Sequence, residues 1–147
     1  MKRSIRFTED GSHTFYVDQL NEPYHSNHGA LQESMHVFIQ QGLLTLNIPS
    51  VRILEIGFGT GLNALLTFSE ALKLNLEIFY HAVEKYPLEE AEYSALNYEK
   101  LIKGAPKGLL DLIHRCPWEK AVKISDQISL HKEESDFRSM IPPSHLN

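Results

Sequence analysis

The sequence predicts an α/β fold, and three features carry that reading. Val51 to Ile56 is a short apolar run that breaks at once into Gly57-Phe58-Gly59-Thr60-Gly61. Leu76 to Val83 is a second apolar run of strand length, closed by Glu84. Between them, Leu62 to Leu74 reads as a helix opened by the glycine turn. Strands this evenly apolar are buried on both faces, which is the habit of parallel sheets.

The remaining elements follow in order. Residues 4–8 and 13–18 flank Asp10-Gly11, a turn signal that predicts a small hairpin. Asn21 to Ser26 is a polar loop. From Gly29 the spacing is helical, with Leu31, Met35, Phe38, Ile39 and Leu43 on one face. Pro87 suits the first turn of a helix running to about Lys103. A further helical piece spans roughly Lys107 to His114, closed by Cys116-Pro117-Trp118. Lys120 to Ile124 and Ile128 to Glu134 read as extended segments around Ser125-Asp126-Gln127. The end of the chain, from Met140 to Asn147, holds two prolines and is not expected to form a central strand. The expected organisation is one domain over 1–147, with a hairpin and helix in 1–48 and the ligand-binding half of the sheet in 49–138.

Composition narrows the function classes. With 147 residues and 42% hydrophobic content the chain can bury a real core. A net charge of −5 is not the average of a nucleic-acid-binding protein, although local basic patches stay open. The single Cys116 excludes an internal disulfide and fits a reducing compartment. No stretch is apolar enough to span a bilayer, and the basic start lacks a signal-peptide core, so a cytoplasmic location is expected. His25, His28 and His36 do not have the spacing of a helical ligand pair, and no metal site is expected. Trp118 and Tyr98 read as core residues. Lys100, Lys103 and Lys107 read as a solvated face or as phosphate contacts.

The glycine turn is the candidate site. A helix N-terminus offers free N–H groups and partial positive charge. In the dinucleotide fingerprint the third glycine falls one position later, where Leu62 stands here. Glu55 ahead of the turn also suits a ligand carrying a positive amino group better than one carrying phosphates. Glu84 lies about 20 residues beyond the turn, where an acid accepts hydrogen bonds from ribose hydroxyls. Together these make S-adenosylmethionine the candidate ligand. A tight turn without a ligand and a nicotinamide-binding turn stay as alternatives.

The same residues, with Asp10-Gly11-Ser12, Glu22-Pro23-Tyr24-His25-Ser26, Gly29-Ala30, Glu33-Ser34 and Val37-Phe38, resemble the tRNA 5-methylaminomethyl-2-thiouridine methyltransferase family. Leu54 to Asn63 and Glu84-Lys85-Tyr86-Pro87-Leu88 continue the likeness, which runs from about Gly11 to Arg138. The resemblance implies a Rossmann-like class I S-adenosylmethionine-dependent methyltransferase fold. It implies methyl transfer to an aminomethyl group on the wobble uridine of tRNA. Glu55, Gly57, Phe58, Gly59, Thr60 and Gly61 would hold the methionine end and the backbone approach, Glu84 the ribose and Asp136 the adenine, with Asn63 and Lys85 also among the cofactor-binding residues. Tyr24, His25, Ser26 and Glu33 would form a lid or substrate loop.

The family's acid nearest the methyl acceptor lies in an Asp-Ala-Phe-type segment that this chain lacks, so no catalytic residue is assigned. The chain is expected to be truncated after the third strand, leaving 51–56 as an open edge that invites self-association. The functional readings are therefore a truncated, inactive or active methyltransferase, a cofactor-binding remnant, and a nicotinamide oxidoreductase.

Overall fold

The structure is a computed structural model and describes residues 2–139, with the side chains of Phe38 and Ser139 outside that description. The segment from Met140 to Asn147, expected not to be a strand, lies outside the described residues.

Asp10-Gly11 turns the chain between β1 (Arg3–Phe7) and β2 (His13–Val17), which pair antiparallel with Ile5 opposite Phe15. Gly11 takes φ 84, a value that suits glycine. A short β3 (Glu22–Pro23) completes this small sheet. The hairpin turn then caps α1 (Ala30–Ser34). Ala30 N–H donates to Thr8 Oγ1 at 3.1 Å, Leu31 N–H to Ser12 Oγ at 3.0 Å, and Gln32 N–H to Asp10 Oδ2 at 2.9 Å. Three N–H groups that the helix cannot pair internally are thus satisfied from the hairpin. Burial pushes the Asp10 carboxyl up, but the hydrogen bonds it accepts from the Ser12 hydroxyl and N–H, the Gln32 N–H and the Thr8 hydroxyl hold it below its usual range. Asp10→Ala is expected to cost about 1–2 kcal/mol, the range for a lost helix cap, read from thermal melting.

The predicted single helix from Gly29 is broken. After α1 the chain widens into a π-helical stretch, Met35–Gln40, and then a 3-10 turn, Leu43–Thr45. Gln41 N–H reaches back to His36 O at 3.0 Å, the long bond of that wider turn. Ile39 and Leu43 still reach the core, and Leu31 and Met35 pack at its margin.

The main sheet has the order β4-β5-β7-β6. β4 (Ser50–Ile56), β5 (Glu77–Glu84) and β7 (Ile128–Glu134) run parallel, whereas β6 (Ala121–Lys123) pairs antiparallel with β7. The result is a mixed α/β architecture. α2 (Leu62–Leu74) joins β4 to β5 and buries Leu62, Leu65, Leu66 and Phe68. Phe68 meets Tyr80 of β5 edge-on at 5.3 Å. Among the described residues β4 is a sheet edge, with Leu54 and Ile56 partly exposed.

The expected helix from Pro87 to Lys103 is also a correction. It divides into α3 (Glu90–Tyr93) and α4 (Tyr98–Leu101). Asn97 sits at the break because the hairpin captures its side chain. Asn97 Oδ1 accepts from His13 N–H at 3.0 Å, and its Nδ2 donates to Gly11 O at 2.9 Å. Tyr98, fully buried, donates its hydroxyl to His13 O at 2.8 Å. Arg3 forks onto both carboxylate oxygens of Glu92 at 2.8 Å each. Tertiary contacts to β1 and β2 therefore outweigh helical periodicity here. α5 (Leu109–Arg115) follows close to its predicted place. Among the described residues no helix is long and apolar enough to cross a membrane.

Candidate functional site

The parallel register brings the C-terminal ends of β4, β5 and β7 together, with Ile56 opposite Val83 and Glu84 opposite Glu134. Open α/β sheets bind ligands at such ends. The turn after β4 places Gly57, Gly59 and Gly61 at φ 86, 56 and 78, in the left-handed region. Gly57 and Phe58 donate their N–H groups to Val83 O at 2.8 and 3.1 Å, docking the turn on β5. A Cβ built on Gly57 would meet nothing within 4 Å, so its backbone faces open space.

Glu84 ties the turn to the strand tip. Its Oε1 accepts from Gly59 N–H at 2.7 Å and its Oε2 from Tyr86 N–H at 3.0 Å. An ionised carboxylate offers about four lone-pair sites, so two such bonds leave capacity for ligand hydroxyls. Beside it lies a cavity of about 460 Å³ lined by residues that include Gly57, Glu84, Lys85, Asp136 and Phe137. Asp136 is bonded by Arg138 at 2.7 Å and paired with Lys85 at 3.5 Å, and Arg138 holds its carboxyl below the usual range. A larger hollow of about 610 Å³ lies between α3, α4 and α5. The Glu99 carboxylate on its wall is already engaged by the N–H groups of Gly108 and Leu110, and the glycine turn does not line it, so the smaller cavity is the relevant one.

Glu55 and Asn63 form a second cluster, under the start of α2. Asn63 Nδ2 donates to Glu55 Oε2 at 2.9 Å. Glu55 Oε1, Asn63 Oδ1 and the Tyr80 hydroxyl are buried without a well-formed hydrogen bond. Burial pushes the Glu55 carboxyl up to about 7, against the opposing pull of Asn63 and of the nearby Tyr80 hydroxyl, with a small further push from Glu84. An unsatisfied buried polar group costs about 1–3 kcal/mol, so this pair is costly for the protein by itself.

The N-terminal loop roofs the turn. Tyr24 lies against Gly59, where an added Cβ would come within 3.3 Å of its ring. His25 Nε2 meets Thr60 Oγ1 at 3.1 Å, and His25 Nδ1 lies 3.7 Å from Glu33. Ser26 N–H reaches the same Glu33 carboxylate at 3.3 Å. Burial lowers the His25 pKa, and Glu33 opposes that. The sequence-predicted residues are thus brought to one end of the sheet. Phe58 is the exception in orientation: its side chain is buried against His114 and Trp118, so only its backbone can face a ligand.

Two residues at the turn were not signalled by the sequence. His114 Nε2 meets Thr60 O at 2.7 Å, and the buried Lys132 donates to His114 O at 2.6 Å while its ammonium sits 4.5 Å from the Trp118 ring centroid. Both act across long sequence separations, and neither carries a local motif. Cys116 is buried, with its Sγ near Ile113 O at 3.6 Å. Among the described residues no group of three His, Cys, Asp or Glu side chains could hold a metal.

A glycine turn at the end of a parallel strand, an acid before it and an acid at the next strand tip define a mixed α/β protein with a candidate nucleoside-type site. No protein-family model matches this sequence. The chain is similar to the tRNA 5-methylaminomethyl-2-thiouridine biosynthesis bifunctional protein MnmC of Nitrosospira multiformis, at 36% identity over 142 residues, covering 88% of this chain and 23% of that protein. The protein of the same name from Leptospira interrogans is 39% identical over 85 residues, covering 52% of this chain and 13% of its own length. Among solved structures, MnmC2 from Aquifex aeolicus superposes with a TM-score of 0.74 at 27% identity, covering 93% of this chain and 43% of that one. The chain spans less than a quarter of the length of these curated relatives and under half of the solved one.

Proposed function

We propose that the chain forms the cofactor-binding part of an S-adenosylmethionine-dependent methyltransferase that modifies tRNA, with a Rossmann-like class I sheet. The reading takes its tRNA substrate from the similarity to proteins named for 5-methylaminomethyl-2-thiouridine biosynthesis. Its acceptor is the aminomethyl group of the wobble uridine, as the family resemblance implies. The observation that carries the cofactor is the buried pair Glu55 and Asn63. Two of their oxygens, Glu55 Oε1 and Asn63 Oδ1, are buried without a well-formed hydrogen bond, with the Tyr80 hydroxyl as the neighbour of Glu55. A cationic amino group supplies the donors that both oxygens need, and it favours the ionised form of Glu55.

The residues present fit that cofactor. Glu55 and Asn63 would hold its amino group, and the turn from Gly57 to Gly61 would admit its backbone-hugging portion. Glu84 would accept from the ribose hydroxyls, with Lys85 and Asp136 lining the cavity for the base. When bound, S-adenosylmethionine supplies an electrophilic methyl on a sulfonium. The chain's own residues orient and desolvate: Glu84 fixes the turn, and Tyr24 and His25 cover Gly59 and Thr60. Nothing in the site favours the nicotinamide reading, because Leu62 stands where that turn needs its third glycine.

Isothermal titration calorimetry tests this. The chain is expected to bind S-adenosylmethionine saturably and NAD not at all. A folded chain that takes up NAD, or neither compound, contradicts the proposal. Transfer of labelled methyl to tRNA carrying the unmethylated aminomethyl group then separates a working enzyme from a binding module.

A further inference from the structure

The conformation of the glycine turn is held by residues outside its own strand–helix unit. Thr60 is 1% exposed, and its carbonyl oxygen lies 2.7 Å from His114 Nε2 on α5. A carbonyl only accepts, so His114 carries its proton on Nε2 and acts as the donor. The ring has little freedom to leave. It stacks on Tyr93 at 4.8 Å with 7° between the planes, and meets Phe58 edge-on at 5.2 Å. The His114 carbonyl is fixed in turn by Lys132 Nζ at 2.6 Å. Gly61 packs so tightly on this imidazole that an added Cβ would come within 2.9 Å of Nε2. Burial, with the Lys132 charge adding to it, lowers the His114 pKa to about 4 although the Thr60 carbonyl opposes this. The ring is therefore neutral near neutral pH.

We propose that His114 is a positioning residue for the ligand-binding turn: by donating to Thr60 O it holds Gly59 and Gly61, on either side of Thr60, in their left-handed conformations and so keeps the shape of the turn that the cofactor would meet. The ligand consequence rests on the S-adenosylmethionine reading above; the hold on the turn does not. His114 is not a catalytic residue, since it is buried and does not line the cavity beside Glu84. Its own partners leave the N–H as the specific element, because a purely packing role would need only the ring.

Two variants separate the roles. His114→Phe keeps a ring against Tyr93 and removes the donor; His114→Gln keeps an N–H donor at similar reach and removes the ring. Amide hydrogen exchange of Gly59 and Gly61 is measured without ligand, and the dissociation constant for S-adenosylmethionine by calorimetry. The Gly59 and Gly61 amides are those bonded to Glu84 Oε1 and Phe58 O. His114→Phe is expected to speed their exchange by about tenfold beyond the change elsewhere in the chain and to weaken binding by about tenfold, the effect of one lost buried hydrogen bond. His114→Gln is expected to restore both to within about threefold of wild type. A His114→Phe chain that exchanges and binds as wild type overturns the proposal, as does a His114→Gln chain with Gly59 and Gly61 exchanging faster than wild type by the full factor. Should His114→Phe fail to fold, the His114→Gln result decides alone. A wild-type chain that binds no S-adenosylmethionine while the exchange pattern holds sinks the cofactor reading and leaves this one standing.

Discussion

Gly61→Ala is expected to lower the melting temperature by about 10 °C, corresponding to about 3 kcal/mol in a domain of this size. Two effects add. The residue sits at φ 78, where an L side chain costs about 1–2 kcal/mol. Its new Cβ would also stand 2.9 Å from His114 Nε2 and 3.3 Å from both Ile113 Cδ1 and Phe58 Cζ. His114 cannot retreat without losing its bond to Thr60 O, and the other two atoms belong to fully packed side chains. Gly11→Ala is the internal control, because Gly11 has φ 84 but nothing within 4 Å of its added Cβ. That variant should carry only the conformational cost, about 1 kcal/mol. Circular dichroism melts of the two variants check this. Equal losses would mean that packing behind the turn contributes nothing.

Glu55→Gln is expected to stabilise the ligand-free chain at pH 8 and to make little difference at pH 5. The folded-state carboxyl sits at about 7, above its ordinary value of 4.5. A raised acid contributes stability that is fully present below the unfolded value and is lost as pH rises through the folded one. The wild type therefore loses stability on this account between about pH 4.5 and 7, by an amount on the order of 3 kcal/mol or less. Glutamine does not titrate, can still accept from Asn63 Nδ2, and brings an N–H₂ that can serve Asn63 Oδ1. His114 has the opposite sign: its value is lowered to about 4, so its contribution is present above 6.5 and is lost as pH falls through 4. Both proteins share that term, and it cancels from their difference. The melting temperature of Glu55→Gln should exceed that of wild type by about 5 °C or more at pH 8. A gap that does not change between pH 5 and 8 would show that Glu55 is not a strained titrating group. With S-adenosylmethionine present the ranking should reverse, because the amide cannot pair with a cation.

The parts of the fold that were legible were those governed by local chemistry. Asp10-Gly11 turned where a turn signal stands, and α2 spans Leu62–Leu74 as the spacing predicts. The strands at 50–56 and 77–84 fall where apolar runs end in glycine or acid, and the strand at 128–134 falls on the segment expected to be extended after Ser125-Asp126-Gln127. Illegible were the places where distant residues compete with local preference. Asn97 breaks a periodic helix because its amide serves the hairpin, and nothing near Asn97 in sequence announces that. The π-helical stretch at Met35–Gln40 keeps Ile39 and Leu43 inward, so apolar spacing alone does not betray it.

The candidate site divides in the same way. Gly57, Gly59, Gly61, Glu55 and Glu84 were readable because their types are dictated by one short strand–turn–helix unit and the next strand tip. His114 and Lys132 were not, since their roles exist only once α5 and β7 are packed behind the turn. The duties that Glu84 already performs, holding Gly59 and Tyr86, were also invisible from its position alone.

The central claim, that the turn and its flanking acids receive S-adenosylmethionine, is tested most directly by following backbone amide resonances during titration of that compound. Saturable shifts are expected at Glu55, Gly57 to Gly61, Glu84 and Asp136, with α3, α4 and β1 nearly still. Shifts centred on the hollow between α3, α4 and α5, or no shifts in a folded chain, would contradict it.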